Sequence, residues 1–173
     1  WFGSSSILYQ PIGLVAIISP WNYPLQLTFI PLINALAAGN RVLLKPSEKT
    51  YHFSALLEKI FHEGFDRSVA RVICGDQSTA KRIAQDKEVD HLFFTGSTRV
   101  GKEVAKYAAE NLTPTTLELG GKSPAYITNS ASLTKSLQRI ILGKMLNAGQ
   151  TCIAPDYLMV DRKHELNFVE TFF

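Results

Sequence analysis

Several things this chain does not have narrow its chemistry. Its 173 residues include only two cysteines, Cys74 and Cys152, far apart and in dissimilar contexts, and no CxxC pair. That excludes a disulfide framework and a cysteine-built zinc site. The four histidines, His52, His62, His91 and His164, stand isolated, so no metal centre is expected. There is no basic run: 18 Lys and Arg face 15 Asp and Glu, for a net charge of +3 spread along the chain. This is ordinary solubility and not a nucleic-acid footprint. The longest apolar stretches, residues 14–18 and 25–38, are too short or too broken to span a membrane. No signal peptide is visible, which points to a reducing, cytoplasmic compartment. The dinucleotide fingerprint GxGxxG is also missing.

What is present reads as a folded α/β protein. Hydrophobic residues make up 46% and charged residues 19%, which excludes disorder. Short β-branched runs at residues 14–18, 41–45, 70–74, 91–95 and 115–119 read as strands, mostly apolar on both faces, as parallel strands covered on both sides are. Helical patterns lie between them. The first opens at Pro24, runs through a buried apolar stretch to Ala38 with a kink near Pro31, and stops at Gly39. The second carries Phe53, Leu56, Leu57, Ile60 and Phe61 and ends at Gly64. Ala80, Ile83 and Ala84 mark a third, and Val100, Val104, Ala105 and Ala108 a fourth. Strand starts roughly 20–30 residues apart are the signature of βαβ units. The expected fold is an open, doubly wound parallel sheet, Rossmann-like, over residues 1–120. Beyond Gly120-Gly121 come a strand at 125–128, a helix at 133–146, a strand at 157–160 and a partial helix at 166–173. About fifty such residues hardly bury a core alone, so 121–173 reads as the start of a second α/β domain. With Trp1 in first place and no pattern over residues 1–9, the chain reads as the middle of a longer protein.

Five loops carry candidate chemistry, each with a plain alternative. Ser19-Pro20-Trp21-Asn22-Tyr23-Pro24 follows the first strand; Asn22 is either turn chemistry or a rigid amide donor for an oxyanion. Lys45-Pro46-Ser47-Glu48 ends the second strand, where acidic residues hold ribose hydroxyls in open sheets; a solvated ion pair is the alternative. Phe94-Thr95-Gly96-Ser97-Thr98-Arg99-Val100-Gly101-Lys102 leads a strand into a helix, a phosphate-binding geometry or a structural turn. Its Gly-x4-Gly-Lys spacing approaches a nucleoside-triphosphate loop, but Glu103 stands where Mg²⁺ needs a hydroxyl. Cys74, in Val72-Ile73-Cys74-Gly75, reads as a small buried hydrophobe. Cys152, in Asn147-Ala148-Gly149-Gln150-Thr151-Cys152-Ile153-Ala154-Pro155, follows a helix-to-loop transition that can present a thiol to a cleft. A helix C-terminus raises a thiol pKa, so activation must come from elsewhere.

Pro20-Trp21-Asn22, Lys45-Pro46-Ser47-Glu48, Phe94-Thr95-Gly96-Ser97, Leu117-Glu118-Leu119-Gly120-Gly121-Lys122 and Gly149-Gln150-Thr151-Cys152 together resemble the aldehyde dehydrogenase superfamily in order and spacing. The ending Cys152-Ile153-Ala154-Pro155-Asp156-Tyr157 looks most like its class 3, fatty-aldehyde and coniferyl-aldehyde branch. The resemblance implies Cys152 as nucleophile on the aldehyde, Asn22 as oxyanion donor and Glu118 as general base for thioester hydrolysis. It implies a cofactor, NAD or NADP, with Lys45 and Glu48 at the adenosine ribose, Gly96 and Ser97 at the pyrophosphate, and Trp21 on the cofactor side. Glu48 should repel the 2′-phosphate of NADP, although members of the branch use both cofactors. A homo-oligomeric parent is implied too. The family's further Glu, in a Glu-x-Phe-Gly-Pro context, has no counterpart in this chain, so little turnover by the 173 residues alone is expected, and self-association through uncovered apolar faces. Two readings compete: a catalytically silent nucleotide-binding module, and a nucleoside triphosphatase built on residues 96–102.

Overall fold

Leu14–Ile18 becomes the central strand, β1, of a five-stranded sheet in a computed structural model that describes residues 3–162 and Phe168. β2 is Arg41–Lys45, β3 Ala70–Val72, β4 His91–Gly96 and β5 Thr115–Leu119. The order is β3-β2-β1-β4-β5, and every neighbouring pair is parallel. The chain steps outward from β1 to one edge, then returns to the other side for β4. β1 and β4 therefore flank a topological switch point, where ligands of open α/β sheets bind. The architecture is the doubly wound α/β sheet expected from the sequence.

The alternation of side chains along β1 explains the double winding. Val15 and Ile17 point into one core with Val42, Leu44, Leu57 and Phe61. Ala16 and Ile18 point into the other with Leu92, Phe94, Val104 and Ala108. Helices α1 (Gln26–Ala37) and α2 (Tyr51–Gly64) bring Leu32, Leu57 and Phe61 to the first face. α3 (Gln77–Ala84) and α4 (Thr98–Ala109) bring Ile83, Val104 and Ala108 to the second. A fully buried Ile or Leu contributes about 1.5–3 kcal/mol, and Ile17, Leu44 and Leu92 are among those sealed completely.

The chain divides into two units, Trp1–Leu119 and Gly120–Phe173, one residue before the boundary drawn from the Gly-Gly pair. The second unit is one βαβ element: β6 (Ser123–Ile127) and β7 (Pro155–Val160) pair in parallel, joined through α5 (Leu133–Met145) and a 3₁₀ turn, Leu146–Gly149. Pro124 and Pro155 cannot donate to a ladder, and the register slips between Ser123 and Pro124.

Three expectations need correction. β3 stops at Val72, not 74: Ile73 N–H still donates to Leu44 C=O at 2.8 Å, but Cys74 has left the sheet. Cys74 is accordingly exposed, not a buried hydrophobe. α1 is not buried all round; Thr28 and Leu32 are, while Ile30 and Ile33 are 50% and 59% exposed. It covers the sheet with one face, and no described residue covers the other. The partial helix expected at 166–173 and His164 lie outside the described residues, Phe168 excepted. Among the described residues, no helix is long and apolar enough to cross a membrane.

Candidate active site

The first unit gathers most of the singled-out residues on one edge of its sheet, where β1, β2 and β4 end. Beyond β1, Ser19 N–H donates to Lys45 C=O at 3.1 Å, carrying the pairing of β1 with β2 one step into the loop. The buried Thr28 hydroxyl donates to Ser19 Oγ at 2.7 Å, fixing α1 to that loop. Asn22 follows, half-buried. The Lys49 ammonium stands 5.5 Å from the Trp21 ring centroid, a cation–π contact between the loops after β1 and β2.

Lys45 is only 2% exposed, and an ammonium so buried needs an anion. Glu48 supplies it, with Oε2 2.7 Å from Nζ. Burial alone would raise the Glu48 pKa, but hydrogen bonds from Lys45 and its own backbone, with the charges of Lys45 and Lys49, bring it below the ordinary carboxylate value. Ser47 orders this corner: its hydroxyl accepts from Lys49 N–H at 3.3 Å, and its carbonyl accepts from the Thr50 and Ser54 hydroxyls at 3.0 and 3.1 Å. The Glu48 carboxylate is thus held by a buried cation on one side and open to a ligand on the other.

On β4, Gly96 ends the strand and Ser97 caps α4, its hydroxyl accepting from Val100 N–H at 3.4 Å. The remaining first-turn amides of a helix have no acceptor within it, which makes this end a site for anions. Gly101 is explained differently: a Cβ there would stand 2.5 Å from Leu119 Cδ2. The glycine lets α4 press on the Leu119 side chain of β5, which gives this position in the Gly-x4-Gly-Lys spacing a packing role. Glu118 is exposed on β5 opposite Thr95, while Leu117 and Leu119 pack on the core from the other face.

Cys152 belongs to the second unit. After α5 the chain passes through three consecutive left-handed residues, Asn147 (φ 50°), Ala148 (φ 55°) and Gly149 (φ 76°). That conformation costs a non-glycine residue about 1–2 kcal/mol, and it makes a sharp reversal ahead of Cys152. Cys152 then sits exposed in its own turn, closed by Ala154 N–H donating to Thr151 C=O at 3.1 Å, and not in the last turn of the helix. A Cβ on Gly121 would stand 3.0 Å from the Cys152 carbonyl oxygen, and Lys122 pairs with Asp156 at 3.0 Å. The Gly-Gly-Lys stretch and the cysteine turn are therefore packed backbone against backbone.

One part of this edge escaped the sequence analysis. A cavity of about 390 Å³ opens beside Glu48, lined by Ser47, Tyr51, Ser54, Glu58 and Cys74 among others. Tyr51, Ser54, Ala55 and Glu58 share one helix face by their i, i+3, i+4, i+7 spacing; the signal was there but lay opposite the apolar stripe. Cys74 Sγ donates to Ser54 C=O at 3.5 Å. Burial first, then the Glu58 carboxylate as charge and hydrogen-bond acceptor, push its thiol pKa up against the pull of Lys45.

The profile of the aldehyde dehydrogenase family matches residues 3–173. The chain belongs to the aldehyde dehydrogenase family. It is 47% identical over 169 residues to a probable coniferyl aldehyde dehydrogenase of Pseudomonas aeruginosa, covering 98% of this chain and 35% of that protein. It is 45% identical over 161 residues to the mouse dimeric NADP-preferring aldehyde dehydrogenase, covering 93% and 35%. Among solved structures, the substrate-bound state of Staphylococcus aureus AldH superposes with a TM-score of 0.89 at 42% identity, over 94% of this chain and 35% of that one. The chain thus spans about a third of the length of these aldehyde dehydrogenases. The donor set at the sheet edge fits a dinucleotide: Glu48 can accept from ribose hydroxyls, and the α4 N-terminus suits a pyrophosphate.

Proposed function

We propose that this chain supplies the cofactor cleft and the nucleophile of an enzyme that oxidises an aldehyde to a carboxylic acid with NAD or NADP. The observation that carries the reading is the convergence of the Trp21-Asn22, Lys45–Glu48 and Gly96-Ser97 loops on the carboxyl edge of one parallel sheet, within an aldehyde dehydrogenase chain. Glu48 would hold the adenosine ribose, with Lys45 fixing its carboxylate from beneath and Trp21 beside them. Gly96, Ser97 and the start of α4 receive the pyrophosphate.

In the second unit, the Cys152 thiolate attacks the aldehyde carbonyl, forming a thiohemiacetal. The Asn22 amide and the Cys152 N–H donate to the oxyanion, each contributing about 2.7–4 kcal/mol in comparable sites. When bound, the nicotinamide dinucleotide supplies the hydride acceptor that turns the thiohemiacetal into a thioester. Glu118, a solvent-facing carboxylate, takes the proton of the water that hydrolyses the thioester and releases the acid. The enzyme is read as a cytoplasmic homo-oligomer, and 173 residues that span about a third of their relatives' length turn over little by themselves.

Titration of the purified chain with NADH and NADPH, followed by mass-mapped alkylation near neutral pH, tests this. Saturable dinucleotide binding, weakened at least tenfold by Glu48→Ala, and faster labelling of Cys152 than of Cys74 are expected. Binding with equal, slow labelling of both thiols would leave a silent cofactor module instead. No binding at all would sink the reading.

A further inference from the structure

The cavity beside Glu48 carries a charge that the mechanism above leaves unused. It lies wholly within the first unit, at the carboxyl ends of β2 and β3 under the start of α2. Glu48 and Glu58 both contribute to its wall, and no Lys, Arg or His does among the described residues. Glu58 is exposed, yet its carboxylate reaches far enough toward Cys74 to act on the thiol as a hydrogen-bond acceptor. Two cations bear on this corner: Lys45, which is sealed from solvent and committed to Glu48 at 2.7 Å, and Lys49, whose charge also acts on Glu48 and whose ammonium stands over the Trp21 ring. Two carboxylates thus line one cavity of about 390 Å³, and neither Lys45 nor Lys49 is part of its wall.

A ribose 2′-hydroxyl is neutral and can donate to Glu48. A 2′-phosphate brings about −1.5 to −2 charge and only acceptor oxygens. A group bound at Glu48 borders the cavity whose wall Glu58 shares. We propose that Glu58 is a second specificity-determining residue, whose carboxylate, facing the same cavity as Glu48, keeps the 2′-phosphate of NADP out and biases the chain toward NAD. This rests on the cofactor reading given above. It differs from that reading in assigning part of the selectivity to a residue of α2, ten positions beyond Glu48 on the wall of the same cavity.

The test is to titrate the 173-residue chain, Glu58→Gln and Glu58→Lys with NADH and with NADPH at low ionic strength. Glu58→Gln tightens NADPH about fivefold, the scale of one solvent-exposed charge contact, and leaves NADH within about twofold. Glu58→Lys tightens NADPH by about tenfold or more, because it replaces repulsion with attraction. Both gains shrink in about 1 M salt, where the screening length falls to about 3 Å. Alkylation of Cys74 speeds up in Glu58→Gln, reporting that the carboxylate faces the cavity. An NADPH-to-NADH affinity ratio equal in all three proteins, with NADH still bound, overturns the role of Glu58. Failure of all three to bind either dinucleotide overturns the cofactor reading as well.

Discussion

In the five-stranded unit, β1 is covered on both faces, and Ala16 and Ile17 are at most 1% exposed. In the two-stranded unit, Leu142, Met145 and Ile153 are 66%, 67% and 77% exposed. Both are built from strands joined by helical crossovers and both obey the same local rules. The difference is the number of layers among the described residues: four helices close two cores in the first unit, and α5 rests on two strands in the second. Among the described residues, Ile127, Leu137 and Ala154 are the second unit's only fully buried hydrophobic side chains. A βαβ element by itself cannot remove enough apolar surface from water to offset the ordering of its chain. The first unit therefore carries its own stability, and the second carries Cys152 on a thin foundation.

The largest way to break this comparison is through the cores. Ile17→Ala removes about 2–5 kcal/mol from the unfolding of the first unit, read as a lower denaturant midpoint with β1 amide protection lost. Leu137→Ala strips α5 of its one buried anchor; amides of the second unit then exchange at nearly unprotected rates while those of β1 do not change. If both variants moved both units equally, the two would be one cooperative body.

A smaller effect, of opposite sign, comes from the turn ahead of Cys152. Ala148→Gly relieves a left-handed alanine and stabilises the second unit by about 1 kcal/mol, measured as increased protection of α5 amides. A destabilising result would mean that this strain belongs to some other conformation of the turn. Comparing thiols separates the units chemically: Cys74, raised by burial and by Glu58, reacts faster with iodoacetamide as pH climbs above 8. Its rate should still be rising at pH 9, the unshifted value.

The smallest effect is a pH dependence in the first unit. Burial lowers the pKa of His91, whose Nε2 lies 2.9 Å from Thr116 Oγ1. The folded state holds this ring neutral more strongly than the unfolded chain does. Its contribution is therefore complete above the unfolded value of 6.5 and is lost as pH falls from there through the lower folded value. Urea midpoints measured from pH 7 down to pH 5 should decline, and His91→Gln should flatten the decline. Glu48, lowered in the fold, acts later: its contribution is present above 4.5 and lost as pH falls below it.

Much of this was legible without coordinates. β1, β2 and β5 begin and end where their β-branched runs do, because parallel strands buried on both faces tolerate little else. Lys45 and Glu48 were legible as a pair, and Gly149 as a helix-to-loop transition. Three features were not. Cys74 reads as buried because small apolar context is a local property, whereas its exposure follows from β3 ending at Val72. Gly101 reads as phosphate chemistry until Leu119 is seen against it. Glu58 is one of many acidic residues on a helix until Cys74 is placed beside it.

The sequence by itself determined the order of strands and helices, the double winding and the family, because hydrophobic period, turn residues and motif spacing act over short stretches of chain. Only the tertiary structure decided that Lys45 is buried and spoken for by Glu48, that Glu58 shares a cavity with Cys74, and that Cys152 stands behind a strained left-handed turn. Those facts depend on which surfaces meet, and burial, charge partners and backbone strain exist only once they have met.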